Sequence, residues 1–337
     1  MAYTTIKKPS DYFNTVLYTG NGSTNAITGV GFQPDWIWQK ARNQTYDHRL
    51  FDAVRGTTKA IYSNTTGAEG TESGVTSFDS DGFSLGSNAG SNGNTVTYAS
   101  WNWLANGAGS ANTDGSISST VSANTTSGFS IVSYTGTGAN ATVGHGLGVA
   151  PKMIIIKNTD ISANWLVYHD SIPATNTLIL NTTDASASDA AYNNTDPTSS
   201  VFSLGVTGSG NGSGNNLIAY CFADVQGYSK FGSYVGNGNA DGTFVYTGFS
   251  PAFVINKRTD SIGNWNMRDI KRDINENTNN LYSNLNNAEA SGQGIDFLSN
   301  GFKQRNNGGD NNGSGASYIY MAFASEPLVG DNPATAR

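Results

Sequence analysis

A short signature that occurs three times limits the fold of this 337-residue chain more than any other feature. Each copy opens with a tyrosine and a glycine-rich turn, has a proline sixteen or seventeen residues later, and has a lysine six residues after that proline. The repeated positions are Tyr18, Pro34 and Lys40, then Tyr134, Pro151 and Lys157, then Tyr234, Pro251 and Lys257. Spacings that are kept over three copies of roughly 100 residues indicate that one structural unit was duplicated.

The three copies divide the chain into modules. The expected segments are a lead-in or docking arm (1–13), module 1 (14–107), a linker (108–128), module 2 (129–226), module 3 (227–329) and a loose tail (330–337). Residues 108–128 are rich in Gly, Ser, Thr, Ala and Asn, a composition typical of a flexible linker. Ile117 and Val121 also suit a first strand of module 2, so that alternative stays open.

Composition and pattern together predict an all-β fold. Only 13% of the residues are charged, and short apolar stretches such as Trp36–Lys40 and Val96–Trp103 are bounded by Gly, Asn or Pro. Frequent turn residues around short strands are typical of sandwiches and barrels. We expect three tandem antiparallel β-sandwich modules of the jelly-roll or concanavalin-like kind. In one stretch, residues 264–285, the apolar residues fall at roughly helical intervals, which predicts a short helical turn or a loop.

Charge and hydropathy argue against two classes of partner. The net charge is −7, no module is basic, and the one local basic cluster (Arg268, Lys271 and Arg272) is interrupted by Asp269, so we expect no nucleic-acid partner. No run of 18 apolar residues and no signal-peptide core is found, so we expect no membrane insertion and no secretion. The single cysteine, Cys221, lies in an apolar stretch and is expected to be a buried, inert thiol.

The duplication provides an internal control for residues that look catalytic. His48 follows Lys40 by eight residues, and Trp165 and Trp265 stand at the same offset in modules 2 and 3. The shared feature is therefore a ring that packs, not a catalytic base. An aspartate follows in each module, at Asp52, Asp170 and Asp269, where we expect it to cap a turn or bind backbone groups. We expect no catalytic residue and no cofactor.

One stretch resembles the opening of a calcium-binding loop. Residues 79–82 read Asp-Ser-Asp-Gly, but module 3 has Leu-Ser-Asn-Gly at 298–301, which keeps the turn and loses the charge. A calcium loop needs several oxygen ligands and a distant bidentate carboxylate. We therefore expect a hairpin turn here and no metal site.

The long glycine-rich loops are the candidate recognition sites. They precede the last strand of each module and lack the Gly-Lys-Ser/Thr ending of a phosphate-binding loop. Their amide side chains suit hydrogen bonding to sugar hydroxyls or to a protein surface. The candidates are Asn88, Asn92, Asn211, Asn215, Asn307, Asp310 and Asn312. Trp101 and Trp103 alternate in the last strand of module 1, which favours a core-facing strand over a sugar-stacking platform.

Several longer runs resemble a known family. They are residues 9–15, 31–40, 48–52, 80–86 and 146–154. Together they are similar to a repeated domain of bacteriophage virion proteins, especially those of marine phages, which are described as tail fibres or receptor-binding proteins. The resemblance is strongest in modules 1 and 2. It implies a lectin-like β-sandwich and does not bring a catalytic site with it.

On that resemblance we expect a structural virion protein, a tail fibre or host-recognition appendage that binds a cell-surface glycan or protein non-covalently. Its partners would be other virion proteins and further copies of itself, with a homotrimer expected by analogy with fibres. It would be made in the host cytoplasm and reside in the virion. The alternatives are a capsid-decorating or head-fibre protein and, as an enzyme, a polysaccharide depolymerase.

Overall fold

The computed structural model describes residues 4–273, 279–292, 294–329 and 333–334. These residues form antiparallel sheets, two single-turn α-helices and two 3-10 helices. The fold is therefore nearly all-β, as the short apolar stretches and frequent turn residues predicted.

Module 1 contains nine strands in two sheets. The strands are β1 (Phe13–Thr19), β2 (Asn25–Thr28), β3 (Trp36–Ala41), β4 (Arg49–Asp52), β5 (Gly56–Ile61), β6 (Gly70–Thr71), β7 (Val75–Asp79), β8 (Gly82–Leu85) and β9 (Thr97–Trp103). The large sheet has the order β1-β9-β3-β4-β5-β6 and the small sheet the order β2-β8-β7. A 3-10 helix at Pro9–Asp11 precedes β1, and helix α1 (Ala89–Asn92) lies in the loop before β9. The lead-in is not a free arm over its described part, because Ile6 is buried in the protein's largest apolar cluster.

Module 2 has ten strands, and it follows the plan of module 1 with two strands added at the start and, in the described residues, no counterpart of β7. The strands are β10 (Ser110–Asn112), β11 (Ser119–Asn124), β12 (Phe129–Thr135), β13 (Ala141–Gly144), β14 (Met153–Asn158), β15 (Leu166–His169), β16 (Asn176–Ile179), β17 (Ala187–Ser188), β18 (Val201–Leu204) and β19 (Asn216–Phe222). The sheets have the orders β10-β11-β12-β19-β14-β15-β16-β17 and β13-β18. A 3-10 helix spans Ala190–Tyr192, and helix α2 (Gly208–Asn211) precedes β19.

The segment expected as a linker instead supplies the added strands β10 and β11. Val121 and Ile117 are both buried, and β11 pairs with β12 along its whole length. Their side chains join the core of module 2. Residues 108–128 therefore do not form a flexible linker, because burying these apolar side chains offsets the entropy lost when the chain is ordered.

Eight strands are found in the described residues of module 3. They are β20 (Ser229–Val235), β21 (Phe244–Tyr246), β22 (Phe249–Arg258), β23 (Trp265–Asp269), β24 (Leu281–Tyr282), β25 (Ile295–Leu298), β26 (Gly301–Gln304) and β27 (Ser317–Pro327). The sheets have the orders β20-β27-β22-β23-β24 and β21-β26-β25. The helical turn expected within residues 264–285 is not found in the described part, where β23 and β24 stand instead, and residues 274–278 lie outside the description. The apolar spacing of Trp265 and Met267 is that of alternate residues on one face of a strand.

The central strand of each large sheet is buried on both faces. In β3, Ile37 packs into the apolar core of module 1, while Trp36 and Trp38 face the opposite way. In β14, Ile154 belongs to the core of module 2 and Ile155 to the opposite face. Because successive side chains of a strand point to opposite faces, a strand covered on both sides is a continuous apolar run. The segments between the repeated prolines and lysines are continuously apolar because they form these central strands.

The outward faces of the three large sheets meet in one shared core. This cluster takes residues from all three modules. The Trp36 ring of module 1 stacks on Tyr220 of module 2 with centroids 4.4 Å apart. Trp101 lies 5.8 Å from Phe253 of module 3. The modules are therefore not independent domains joined by linkers, because each contributes the outward face of its large sheet to a common apolar core.

Candidate functional site

The repeated position of an aromatic side chain (His48, Trp165 and Trp265) forms a hydrogen bond from each module to the preceding one. Trp165 Nε1 of module 2 donates to the Tyr62 carbonyl oxygen of module 1 at 2.9 Å, and Trp265 Nε1 of module 3 donates to the Ile179 carbonyl oxygen of module 2 at 3.0 Å. His48 Nε2 of module 1 lies 2.9 Å from the Tyr282 carbonyl oxygen of module 3. The three bonds close a ring in which each module holds the one before it. His48 therefore supplies the contact between module 1 and module 3.

A second repeated position reaches the following module in the same ring. Strand register places Asp52 opposite Trp36, His169 opposite Met153 and Asp269 opposite Phe253. His169, and not Asp170, thus occupies the equivalent position in module 2. The Asp52 carboxylate accepts a hydrogen bond from Tyr220 Oη at 2.8 Å.

The other two members of this position make matching contacts. The Asp269 carboxylate accepts a hydrogen bond from Trp101 Nε1 of module 1 at 3.0 Å. His169 Nε2 lies 3.2 Å from the Tyr320 carbonyl oxygen of module 3. Asp170 instead forms an exposed ion pair with Lys152. Counting residues along the sequence selected Asp170 in place of His169. The two residues are adjacent, and only the pairing of the strands shows which of them occupies the equivalent position.

The three repeated lysines are buried beside the module boundaries. Lys157 Nζ donates to the Thr66 carbonyl oxygen of module 1 at 2.8 Å, and Lys257 Nζ donates to the Thr183 carbonyl oxygen of module 2 at 3.2 Å. Lys40 Nζ donates to the Ala41 carbonyl oxygen of its own module. Burial disfavours the charged form and lowers the pKa of each of these lysines to about 8. Lys157 and Lys257 therefore contribute a hydrogen bond across a module boundary, whereas Lys40 binds carbonyl groups of its own module.

Three of the candidate recognition residues hold a turn in place. Asn92, Asn211 and Asn312 are fully buried. Asn211 Oδ1 accepts a hydrogen bond from Thr137 N at 2.8 Å, and its Nδ2 donates to the carbonyl oxygens of Ala139 and Gly205. Asn92 and Asn312 make the equivalent bonds in their modules. These three side chains are therefore inaccessible to a ligand in this structure.

The same turn explains the glycine of the repeated signature. A Cβ atom at Gly20 would lie 2.3 Å from the Gly93 carbonyl oxygen, and equivalent clashes occur at Gly136 and Gly236. The signature tyrosine fixes the other side, because Tyr18 Oη donates to the Ser91 carbonyl oxygen at 2.7 Å. The repeated tyrosine, glycine and asparagine thus form one unit that binds the glycine-rich loop to the first strand of its module.

The remaining candidates lie nearer the surface. Asn88 caps helix α1 by accepting a hydrogen bond from Gly90 N. Asn215 accepts a hydrogen bond from Asn158, and Asp310 accepts one from Asn264. Asn307 is exposed. The loops therefore offer only part of the expected amide surface to a partner.

The Asp-Ser-Asp-Gly stretch is a hairpin turn. Asp79 pairs with Gly82 where β7 meets β8, and the Asp81 carboxylate accepts hydrogen bonds from Gly29 N and Gly31 N. In the described part of the chain, no group of three or more His, Cys, Asp or Glu side chains is placed to hold a metal ion. Cys221 is buried, which raises the pKa of its thiol far above the ordinary value.

Two exposed aromatic side chains on β21 were not singled out from the sequence. Phe244 is 44% exposed and Tyr246 is 57% exposed, while Val245 between them is buried in the core of module 3. Strand pairing gives Ala26 and Thr28 as their counterparts in module 1. An alignment of the three modules would have revealed this change, because two small side chains are replaced by two large rings.

Tyr246 forms one wall of a surface pocket at the start of module 3. The pocket has a volume of about 500 Å³. The polar side chains around it are Asp224, Gln226, Ser229, Lys230 and Thr247. A second pocket of about 230 Å³ lies where the start of module 1 meets module 3, beside Phe13 and Ala252. The first pocket combines one exposed aromatic ring with several hydrogen-bonding side chains.

Comparison with known proteins identifies a family, and the description of that family gives no activity. The profile of a family described as Domain of unknown function (DUF7483) matches residues 8–327. No curated protein matches the chain. The helices in the described ranges are all too short to cross a membrane.

Proposed function

We propose that this chain, which belongs to the DUF7483 family, is a structural protein of a bacteriophage virion that attaches to the host surface. Its place would be a tail fibre or host-recognition appendage, binding a cell-surface glycan or protein without covalent chemistry. The resemblance of residues 31–40 and 80–86 to repeated domains of phage virion proteins supports this.

The observation that carries the proposal is the use of ionisable side chains in assembly. His48, His169, Asp52 and Asp269 all form hydrogen bonds across module boundaries. The repeated lysines are likewise directed at backbone carbonyl groups. A chain that uses its ionisable groups in this way is suited to carry surface loops on a rigid body.

Each module is proposed to be a jelly-roll or concanavalin-like β-sandwich. The pairing of one large and one small sheet around an apolar core in each module supports this assignment. Because one chain already closes a ring of three modules, the ring itself requires no second copy. A homotrimer, proposed by analogy with phage fibres, would therefore use the outer surfaces of the modules, as would contacts with other virion proteins.

Immunogold electron microscopy tests the proposed location. Antibody raised against the purified chain is expected to mark the tails of intact particles. Marking of the head would instead support a capsid-decorating or head-fibre protein, and absence of label from the particles would overturn the virion assignment. Purified chain is also expected to bind host cells without releasing sugar from their surface polysaccharides, whereas steady release would establish a depolymerase.

A further inference from the structure

We propose that the pocket beside Tyr246 is a binding site for a neutral saccharide, with the tyrosine ring as its stacking surface. The proposal rests on the proposed function, since it gives the attachment protein a site and a ligand class. It also assigns recognition to the surface where the end of module 2 meets module 3 and not to the glycine-rich loops, where Asn92, Asn211 and Asn312 are buried.

The aromatic wall is the first observation that points to a sugar. Phe244 and Tyr246 lie two residues apart on β21 and both point away from the module core. A pyranose ring has an apolar face of C–H groups, and an exposed aromatic ring with a polar edge matches such a face while leaving the hydroxyl groups in water. Tyr246 also lines the pocket directly.

The polar wall determines the charge of the ligand. Lys230 Nζ contacts Asp224 Oδ2 at 2.7 Å, so the one cation and the one anion of the wall neutralise each other. Asp224 Oδ1 also accepts a hydrogen bond from Phe231 N at 2.8 Å, which fixes the carboxylate in position. An ion pair held in this way offers hydrogen bonds to hydroxyl groups and no net attraction for a charged ligand. Gln226, at the rim, is exposed and adds an amide.

The other two modules show that the pocket is a feature of module 3. In module 1, Asn14 is the register equivalent of Lys230, and its Nδ2 donates to the Val30 carbonyl oxygen at 3.0 Å, which connects β1 to the turn after β2. In module 2, Ile117 bridges to Val143 and covers the corresponding strand. The surroundings of this position therefore differ among the modules, and the strand beside it carries the Tyr246 ring in module 3 where module 1 has Thr28.

Replacing Tyr246 by the residue of module 1 gives a sharp test. The probes are neutral hexasaccharides of glucose, mannose, galactose and N-acetylglucosamine, and a sulfated hexasaccharide serves as the charged counterpart. Binding is followed by saturation-transfer NMR and by titration calorimetry. We expect at least one neutral probe to bind the wild-type chain with a Kd of about 1 mM. Tyr246→Thr is expected to weaken that binding at least about fivefold, a loss of roughly 1 kcal/mol.

Two control variants separate stacking from a general surface effect. Tyr246→Phe retains the ring and is expected to bind within about twofold of wild type, since the stacking face is unchanged. Ile262→Ala changes an apolar side chain that is 71% exposed beyond the far end of β22, and it is expected to have no effect. Melting temperatures of all three variants should match the wild type, because the changed side chains are exposed.

Two results would overturn the site. One is a Tyr246→Thr variant that binds the neutral probe as tightly as wild type, and the other is a wild-type chain that binds none of the neutral probes at about ten times the expected Kd. Stronger binding of the sulfated probe would also overturn it. None of these results affects the labelling of particles by antibody, so failure of the site and failure of the virion assignment are distinguishable.

Discussion

Trp165 of module 2 donates its indole N–H to the Tyr62 carbonyl oxygen of module 1 across 2.9 Å. The equivalent bond from Trp265 joins module 3 to module 2, and the one from His48 joins module 1 to module 3. Since the rings that make these bonds also contact the shared core, a module cannot separate without exposing apolar surface from its neighbours. We therefore expect the three modules to unfold together.

The first prediction concerns the donor at Trp265. Trp265→Phe keeps an aromatic ring in the shared core but leaves the Ile179 carbonyl oxygen without its indole partner. That oxygen is only part-buried and keeps a longer contact from Thr182 N at 3.4 Å, so the loss of the indole bond should cost about 1 kcal/mol in addition to the loss of packing. The free energy of unfolding, measured by denaturant titration, should fall by that sum.

Trp103 supplies the matched control for this variant. It is buried in the same core, and in the described structure its Nε1 has no hydrogen-bond partner. Trp103→Phe therefore loses packing alone and should be less destabilising than Trp265→Phe by about 1 kcal/mol. Equal losses for the two variants would mean that the bond between modules contributes nothing.

The second prediction exchanges a pair of residues between modules. Module 1 has Trp38 beside His48, whereas module 2 has Ile155 with Trp165 at the equivalent positions. Each pair contains one tryptophan and one smaller side chain, so the combined volume of the two side chains is similar in the two modules. His48→Trp alone should overpack the site and cost about 1–3 kcal/mol. Adding Trp38→Ile should recover part of that loss, with a favourable coupling of at least about 1 kcal/mol in a double-mutant cycle.

The sum of the two single effects is the reference for that cycle. If Trp38→Ile together with His48→Trp were as destabilising as the sum, the two positions would be energetically independent. The indole N–H of Trp38 donates to His48 Nδ1 at 2.8 Å, so each single change also removes this bond. The double variant regains a ring donor at position 48 directed towards the Tyr282 carbonyl oxygen.

The sequence predicted the strands well and their assembly poorly. The spacing of Pro34 and Lys40 predicted a repeated apolar strand, and alternation within β3 explains why both of its faces are apolar. Nothing local indicated that Trp36 and Trp38 face a core shared with two other modules, because side-chain period shows which residues share a face and not what covers that face. The sequence therefore predicted the strands of a single module, but it did not predict the ring that the three modules form.

The candidate site was predicted less well for a related reason. Polar loop residues were chosen by composition, but Asn211 serves its own backbone, as buried amides usually do. Tyr246 was overlooked because a single exposed aromatic residue in a strand has no distinctive local pattern. Its position opposite Gly301 in the small sheet identifies it as the counterpart of Thr28, a change to a large ring that a comparison of the three modules shows.

The third prediction concerns acid sensitivity through the histidines. His48, His145 and His169 share one arrangement, in which Nδ1 accepts a hydrogen bond from an N–H group and Nε2 faces a carbonyl oxygen. This pattern fits only the neutral Nε2–H tautomer. Burial lowers the pKa of all three, and that of His169 falls to about 4.

Stability should therefore be lost as pH falls below the ordinary histidine pKa of about 6.5. Between pH 6.5 and 4 the unfolded chain binds a proton at residue 169 that the folded chain does not, so the histidine term is complete above pH 6.5 and decreases towards pH 4. From pH 7 to pH 5 that term should decrease by about 2 kcal/mol. His169→Gln should lose stability at pH 7 yet show a smaller decrease towards pH 5. An unchanged pH dependence would refute the assignment of a neutral His169.

The last prediction concerns the buried amide that closes the signature turn of module 3. Asn312 Nδ2 donates to the carbonyl oxygens of Asn239 and Asn306, both at 2.8 Å, while its Oδ1 accepts a hydrogen bond from Asn237 N. Asn312→Asp has the same shape but places a second carboxylate oxygen against those carbonyl oxygens. Burying an unpaired charge there should destabilise the chain by about 3 kcal/mol or more, or raise the pKa of the new carboxyl group until it is neutral.

Asn307→Asp, which makes the same change at an exposed position of the same loop, should alter the free energy of unfolding by no more than about 0.5 kcal/mol. Urea titration at pH 7 and pH 5 measures both variants, and the loss in Asn312→Asp should be smaller at pH 5, where a carboxyl group of raised pKa is protonated. A variant as stable as Asn307→Asp at both pH values would show that the turn does not depend on this amide.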